Sequence, residues 1–198
     1  MFVLPAIADI MATTCVKSHM RQVIYGGAVS LDGFLAGPGE RIDWLRHSDE
    51  SAKLIAESFV GVDAILMGRK TFESAQRMGG GPPMKGVATY VFSRTIVSLP
   101  KGAVGRLVTD DAAGFVSGIK SKEGGKILVM GGGELGSALI AAGLVDEIRF
   151  SIHPVLLGGG VPAFRPLENR VDLALVEARA ITPQCVLVRY NVLNDPIA

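Results

Sequence analysis

Residues 126–148 read KILVMGGGELGSALIAAGLVDEI. Ile127 to Met130 is an apolar run of strand length. Gly131, Gly132 and Gly133 follow, and a helical pattern begins at once. Glycines at such a joint let a backbone approach a ligand that a Cβ would push away. The first turn of the helix presents unpaired N–H groups and the positive end of its dipole, which suits a phosphate or pyrophosphate. Gly131, Gly133 and Gly136 fit the G-x-G-x-x-G spacing of the dinucleotide fingerprint. The joint stands late in the chain, however, and no clear acidic residue follows about 20 residues on to hold a ribose. The stretch therefore points to a nucleotide cofactor outside a simple Rossmann domain.

Past this helix the period changes. Gly143 is suited to the C′ position, with Leu144 beyond it for the accompanying hydrophobic contact. Ile148, Phe150 and Ile152 then alternate with Glu147, Arg149, Ser151 and His153, the pattern of a half-buried strand. LLGGGVP, residues 156–162, is a glycine-rich loop. LALVEARAI and CVLVRYNVL follow as a closing antiparallel hairpin.

Upstream, VIYGGAVS (23–30) reads as a buried strand with a glycine pair, a mark of close approach by a ligand or another backbone. A helix capped by Ser48 or Asp49 extends to about Val60, with Ala52, Ile55, Ala56 and Phe59 as its apolar face. AILM (64–67) is a short strand, RKTFESAQR a second helix, and Gly79 to Pro83 a loop. Val87 to Ser93 and Arg106 to Thr109 are strands, and Asp110 or Asp111 starts another helix. Strands alternating with helices predict a three-layer α/β domain: a mixed, mostly parallel sheet flanked by helices, with an antiparallel C-terminal strand. The domain spans residues 20–194, and residues 1–19 are an extension to which the sequence assigns no role.

The chain has 198 residues, nearly half of them apolar, and a formal charge of +1. That balance gives no footprint for nucleic acid. The apolar stretches are strand-length or broken by Gly133, Glu134 and Gly143, so no membrane span is expected. Cys15 and Cys185 stand alone, which fits reduced thiols in a cytoplasmic protein and leaves a bridge between them open. His19, His47 and His153 lack any ligand-pair spacing, so no metal site is expected.

Ligands of such sheets sit beyond the carboxyl ends of parallel strands. Four ends carry glycine, hydroxyl or arginine residues: Gly26 to Leu31, Met67 to Thr71, Phe92 to Arg94 and Met130 to Glu134. In MGRKTF, Gly68 permits a tight turn, Arg69 and Lys70 can neutralise phosphate, and Thr71 adds a hydroxyl in the first helical turn. Read alone, this is equally a solvated basic helix start. Ser93 and Arg94 can grip a ribose 2′-phosphate, or simply form a strand exit. Two arginines, Arg69 and Arg94, favour NADPH over NADH.

Taken in order, SLDGFLAG, MGRKTFES, VFSR, VMGGGELGSALIAAGLVDEI and HPVLLGGGVPAF resemble the dihydrofolate reductase superfamily. The similarity is greatest to the C-terminal reductase domain of bifunctional riboflavin-biosynthesis deaminase/reductase proteins, and it runs from about Met20 to Val192. The resemblance implies an NADPH-dependent reductase acting on a small molecule, in a homodimer. By the same resemblance Arg69, Lys70 and Thr71, with Gly68, meet the cofactor phosphates, and Ser93 and Arg94 the 2′-phosphate. Gly131, Gly132, Gly133, Glu134 and Leu135 match the pyrophosphate and nicotinamide-side loop. Ala28, Leu35 and Ala36 match positions lining the nicotinamide pocket, and Asp32 lies near the substrate side.

The sequence departs from the family in two places. Dihydrofolate reductases carry a Pro-Trp loop before a helix-borne acid that faces the pterin, and here the segment is ERIDWLRHSDES. Asp49 or Glu50 occupies the acid position or serves as a helix cap. Riboflavin-pathway reductases follow the second motif with an acidic-proline segment and an arginine, where this chain has ESAQRMGGGPPMKG with Arg77 and Lys85. Asp32, Asp49 and Glu50 are the candidates for orienting substrate or relaying a proton, and Trp44 for a pocket wall. A ribosylaminopyrimidine, a pterin or an imine remain open as substrates, as does an NADPH-binding protein without catalysis.

Overall fold

The structure, a computed structural model, describes residues 20–45, 48–78, 85–182 and 184–193. The N-terminal extension with Cys15, and the loop expected at Gly79 to Pro83, lie outside these. In chain order the strands are β1 (Val23–Ser30), β2 (Phe34–Ala36), β3 (Val62–Gly68), β4 (Ala88–Phe92), β5 (Arg106–Val108), β6 (Lys126–Met130), β7 (Glu147–His153), β8 (Val161–Pro162), β9 (Asp172–Thr182) and β10 (Cys185–Leu193). The helices are α1 (Asp49–Ser58), α2 (Arg69–Arg77), α3 (Ala112–Lys120) and α4 (Gly133–Ala141).

Eight strands form one sheet in the order β5-β4-β3-β6-β1-β7-β10-β9. From β5 to β7 every pairing is parallel. β10 pairs antiparallel with both β7 and β9, so it alone runs against the rest. This is the mixed, mostly parallel sheet that the sequence predicts. β2 and β8 form a separate two-stranded antiparallel sheet.

Local chemistry sets the helix ends. Ser48, and not Asp49, caps α1: its side chain accepts from the Ser51 amide, and the Ser51 hydroxyl accepts from the Ser48 amide. Asp111 caps α3 by accepting from the Ala113 and Gly114 amides. α4 ends as expected, with Gly143 at φ 65°, the Gly143 amide donating to Ile140 and the Leu144 amide to Leu139.

The larger core lies between the sheet and α3 with α4, where Tyr25, Val129, Leu139, Ile148 and Phe150 are buried. A smaller core on the other face joins Ile24, Leu66's neighbours Ile65 and Met67, and Leu128 to Phe72 of α2. At the amino ends of the strands, Lys120 is buried and donates to Asp146 (2.6 Å), which also accepts from the Val23 amide. Among the described residues no helix is long and apolar enough to cross a membrane.

Two expectations need correction. The apolar face assigned to α1 is packed only at its end: Ala52, Ile55 and Ala56 are exposed and no residue of the helix is buried, while Phe59, at its C-cap, is half-buried against the smaller core. The helix stands off the sheet, and its inward positions, Ser51, Leu54 and Ser58, line a cavity. In sequence the segments Glu147 to Pro154 and Cys185 to Val192 are apolar enough to predict pairing between subunits. Both strands are interior, with each edge already bonded, and β9 is the edge on that side.

Candidate cofactor cleft and substrate cavity

The sheet order sets β4, β3, β6 and β1 side by side and parallel. Their carboxyl ends therefore bring Ser93 and Arg94, Gly68 to Thr71, Gly131 to Glu134, and Ala28 into one row. The two phosphate candidates form a single surface. Gly131 and Gly132 are left-handed, at φ 56° and 65°. A Cβ on Gly131 would come within 3.0 Å of the Thr71 side chain, and one on Gly132 within 3.7 Å of the Gly68 amide nitrogen.

At three other glycines the missing Cβ makes room for neighbouring protein. A Cβ on Gly133 would lie 2.0 Å from the Pro162 carbonyl oxygen of β8. One on Gly136 would lie 2.3 Å from the ring of Tyr25, whose hydroxyl donates to the Ala163 carbonyl at 2.5 Å. In the β1 pair, a Cβ on Gly26 would strike the carbonyl of Arg149 at 2.1 Å. Of the two approaches that the sequence left open there, Gly26 makes the one to backbone.

The helices of the row differ from the others. α2 begins at Gly68 and α4 at Gly132, both without a side-chain cap, whereas α1 and α3 are capped by Ser48 and Asp111. The first-turn amides at Arg69 to Thr71 and at Gly133 to Leu135 thus have no capping oxygen, the condition an anion needs. Around them the cations are paired: Arg69 with Glu73 at 2.9 Å, Lys70 with Glu40 at 2.7 Å, and Arg94 with Glu134 at 2.9 Å. The Lys70 bond ties α2 to the loop after β2, where Glu40 holds a left-handed φ of 61°. That same bond keeps the Glu40 carboxyl below its ordinary range.

On the far side of the row, Leu35 packs on the larger core and Ala36 is buried in β2. Asp32 fastens this corner. Its carboxylate accepts from the Ser30 hydroxyl (2.6 Å) and from the amides of Leu157 (3.0 and 3.1 Å) and Gly158 (2.8 Å). The Ser30 bond, then the two amides, hold its carboxyl below the ordinary range. Asp32 is thus an ionised clamp on the 157–158 turn, with its acceptors occupied.

Beneath α1 lies a cavity of about 270 Å³, floored by β1, β6, β7 and β10 and reaching Ala28 and Met130. A second, of about 340 Å³, shares Ser51, Leu54, Ser151 and His153 with it and extends to Glu50 and Cys185. Cys185 is a free, buried thiol whose pKa is raised by that burial. Asp49 is exposed in the first turn of α1, and Glu50 lines only the second cavity. Bonds from its own amide and from Ser48 keep the Glu50 carboxyl low. Trp44 packs edge-on against His153, ring centroids 5.3 Å apart.

A model of the RibD C-terminal domain matches residues 21–187. The chain belongs to the RibD C-terminal domain family. It is 31% identical to the uncharacterized protein YyaP of Bacillus subtilis over 86% of this chain and 95% of that one. YwjB of the same organism is 30% identical over 78% and 89%. Among solved structures, a Shewanella sp. PV-4 protein named for riboflavin biosynthesis superposes with a TM-score of 0.76 at 23% identity, covering 87% of this chain and 99% of that one. Dihydrofolate reductase from Enterococcus faecalis, complexed with NADP(H), gives 0.59 at 17% identity, covering 88% and 97%. The fold is therefore dihydrofolate reductase-like.

Within this RibD-type frame the sequence reading missed the floor of the cavity. Arg149, Ser151 and His153 alternate along β7, and the sequence gives that face to solvent. The structure roofs it with α1. Glu147 on the same face is buried, and it accepts from Arg149 (2.8 Å), Arg189 (3.0 and 3.1 Å) and Gln22 (3.2 Å). Burial alone would push its carboxyl up, but the bonds from Arg189 and Arg149 outweigh it and hold the group low. The available signal was charge: two arginines and a glutamate on adjoining strands outnumber what a solvated face requires.

Proposed function

We propose that the protein is an NADPH-dependent reductase that delivers a hydride to a small heterocyclic substrate, of the ribosylaminopyrimidine type met in riboflavin biosynthesis. The observation that carries this reading is the row of uncapped helix starts at Gly68 and Gly132, ending at Ala28 over a half-open pocket. The residues present fit the cofactor. First-turn amides and the left-handed Gly131 and Gly132 suit a pyrophosphate, with Arg69, Lys70 and Thr71 beside it and Glu134 and Leu135 completing the turn. Ser93 and Arg94 suit the 2′-phosphate. Ala28, Leu35 and Ala36 supply the small apolar surface that a nicotinamide needs.

When bound, NADPH supplies the hydride, and the chain supplies position and water exclusion. Asp32 holds the 157–158 turn against the end of β1 and so acts by positioning. α1 roofs the substrate, with Glu50 at the rim as an acceptor and Asp49 outside it. Dimerisation through the β9 end of the sheet and a cytoplasmic location, where reduced cofactor and free thiols persist, belong to the same reading.

Titration with NADPH and NADH tests it. Wild-type protein binds NADPH, and Arg94→Ala weakens NADPH about tenfold or more while leaving NADH within about threefold, since only NADPH loses a charge-assisted contact, whereas Arg69→Ala, beside the shared pyrophosphate, weakens both. Equal losses for both in Arg94→Ala would overturn the 2′-phosphate assignment. No binding at millimolar NADPH would sink the reductase. Binding without reduction of any pterin, pyrimidine or imine acceptor would leave a non-catalytic NADPH-binding protein.

A further inference from the structure

The cavity beneath α1 carries one cation on its floor. Arg149 lies on β7 with its side chain 14% exposed, and it lines the cavity together with the backbone of Gly26 and Gly27 and with Leu54, Leu128 and Leu187. Its Nε donates to Glu147 Oε1 at 2.8 Å, and Nη2 lies 2.7 Å from the same oxygen as an ion pair. Among the described residues Nη1 has no protein acceptor.

Glu147 does not cancel this charge one for one. The same carboxylate is divided among Arg149, Arg189 and the Gln22 amide. Arg189 is shared in turn with Glu177, which also pairs with Arg179, and Arg179 reaches Glu57 of α1. The chain of ion pairs runs away from the cavity toward the edge of the sheet. It fixes the guanidinium of Arg149 from behind and leaves its front edge to an apolar space. A planar guanidinium so fixed is preorganised for a bidentate or single-edge contact with an oxyanion. No carboxylate lines this cavity.

Spacing defines the occupant further. Gly26 is in register with Arg149, and Ala28 with Ser151. Two strand residues span about 6.6 Å, close to the length of one aromatic ring with its carboxylate. A single ring with its acid group, lying along β7 from Arg149 toward Ser151 and Ala28, is matched to a step of this length and points to the nicotinamide end of the proposed cofactor row. Gly27 lines the pocket without a side chain, and nothing stands within 4 Å of where its Cβ would be, which leaves room for the ring face.

We infer that Arg149 is the specificity-determining residue of this cavity, and that it selects a compact planar acid: a heteroaromatic ring carrying a carboxylate or a comparably acidic group. This rests on the cavity being the substrate site of the proposed reductase, and among small heterocycles it favours a ring that itself carries the acid over a ribosylaminopyrimidine, whose acidic group lies on the sugar.

The test pairs three acids with their neutral counterparts: orotate with uracil, nicotinate with nicotinamide, and benzoate with benzamide. Each is titrated calorimetrically into the full-length protein without cofactor. At least one acid binds about tenfold or more tightly than its counterpart, and Arg149→Met brings that ratio to about one. Arg149→Lys retains part of it. Leu54→Trp fills the cavity from the roof without touching the ion pairs and abolishes binding of that acid, so the outcome does not depend on how well the Arg149 variants fold. The inference is overturned if every acid binds no better than its neutral counterpart, or if the preference survives in Arg149→Met. It is equally overturned if Leu54→Trp binds the acid as the wild type does. NADPH affinity is measured separately on the same proteins. Loss of NADPH binding with acid selectivity intact would refute the reductase and not the anion site, and the reverse result would refute only the anion site.

Discussion

Arg94 and Glu134 meet across the mouth of the cofactor row, with both side chains largely exposed. An exposed pair of this kind contributes up to about 1 kcal/mol, so under the proposed 2′-phosphate assignment the phosphate should displace the carboxylate at small cost. Glu134→Gln frees the arginine and removes a like charge from the phosphate. NADPH binding should tighten by about two- to fivefold while NADH binding stays the same, as fluorescence titration will show. An unchanged NADPH affinity would mean that Arg94 points elsewhere when cofactor binds. Asp32 makes a prediction in pH. Its folded pKa is depressed by the Ser30, Gly158 and Leu157 bonds. It therefore contributes stability above the unfolded value of about 3.9, and that contribution is lost as the pH falls through the folded value. Asp32→Asn should lower the melting temperature at pH 7, and the gap from wild type should close below about pH 4. A gap that stays constant down to pH 2 would show that the carboxylate charge has no part in the clamp.

Helix starts divide the molecule between stability and binding. α1 and α3 spend a side chain on capping, while α2 and α4 leave their amides open over the cleft. Ser48→Ala should cost about 1 kcal/mol in urea unfolding and leave NADPH affinity unchanged. Gly68→Asp tests the other side. A Cβ at Gly68 has open space around it, and the residue already has the extended backbone of an N-cap. The new carboxylate caps α2 and stabilises it by a few tenths of a kcal/mol. It also sits where a phosphate belongs, so NADPH affinity should fall by more than about tenfold. A variant that is both more stable and equally tight would remove α2 from the cofactor site. The capping residues and the strand–helix alternation were legible in the sequence because they depend on neighbours along the chain. Two features were not. Gly133 and Gly136 answer to Pro162 and Tyr25, which are distant in sequence, so the triplet reads as a ligand cradle throughout although only Gly131 and Gly132 face Thr71 and Gly68. The apolar stripe of α1 likewise fixes a period but not a partner, and a helix that roofs a cavity shows the same stripe as one that packs.

At the scale of the whole molecule the sheet is unevenly covered. α3 and α4 pack over β1, β6 and their neighbours, and α1 reaches β9 on the opposite face. The register of β9 on β10 puts Leu173 beside Val192, Leu175 beside Tyr190, Ala178 beside Val188 and Ala180 beside Val186. These eight residues share one face, where Val188 and Val192 pack on the larger core and Leu173, Leu175, Ala178, Ala180 and Val186 continue it exposed beyond α3 and α4. Leu175 is 61% exposed and Val186 41%. A contiguous apolar face beside an eleven-residue edge strand is a surface that a soluble monomer seldom leaves open. The register shift between Arg189 and Tyr190 leaves Val176 without a partner on β10, and it kinks the edge. A kinked edge disfavours continuous strand pairing, so the proposed homodimer should cover this surface by packing face to face. Packing of that kind has two-fold symmetry and sets each Leu175 against the same patch on its partner. The expected particle has twice the 20.8 kDa mass of one chain. Leu175→Glu buries two unpaired carboxylates in that contact and should weaken association by at least about a hundredfold, giving a monomer by sedimentation velocity. NADPH affinity should not change, because the cofactor row lies on the β4-to-β1 side of the sheet. A wild-type monomer at about 100 µM, or a dimer that survives Leu175→Glu, would place the subunit contact on another surface. Loss of NADPH binding in the monomeric variant would mean instead that the partner completes the site.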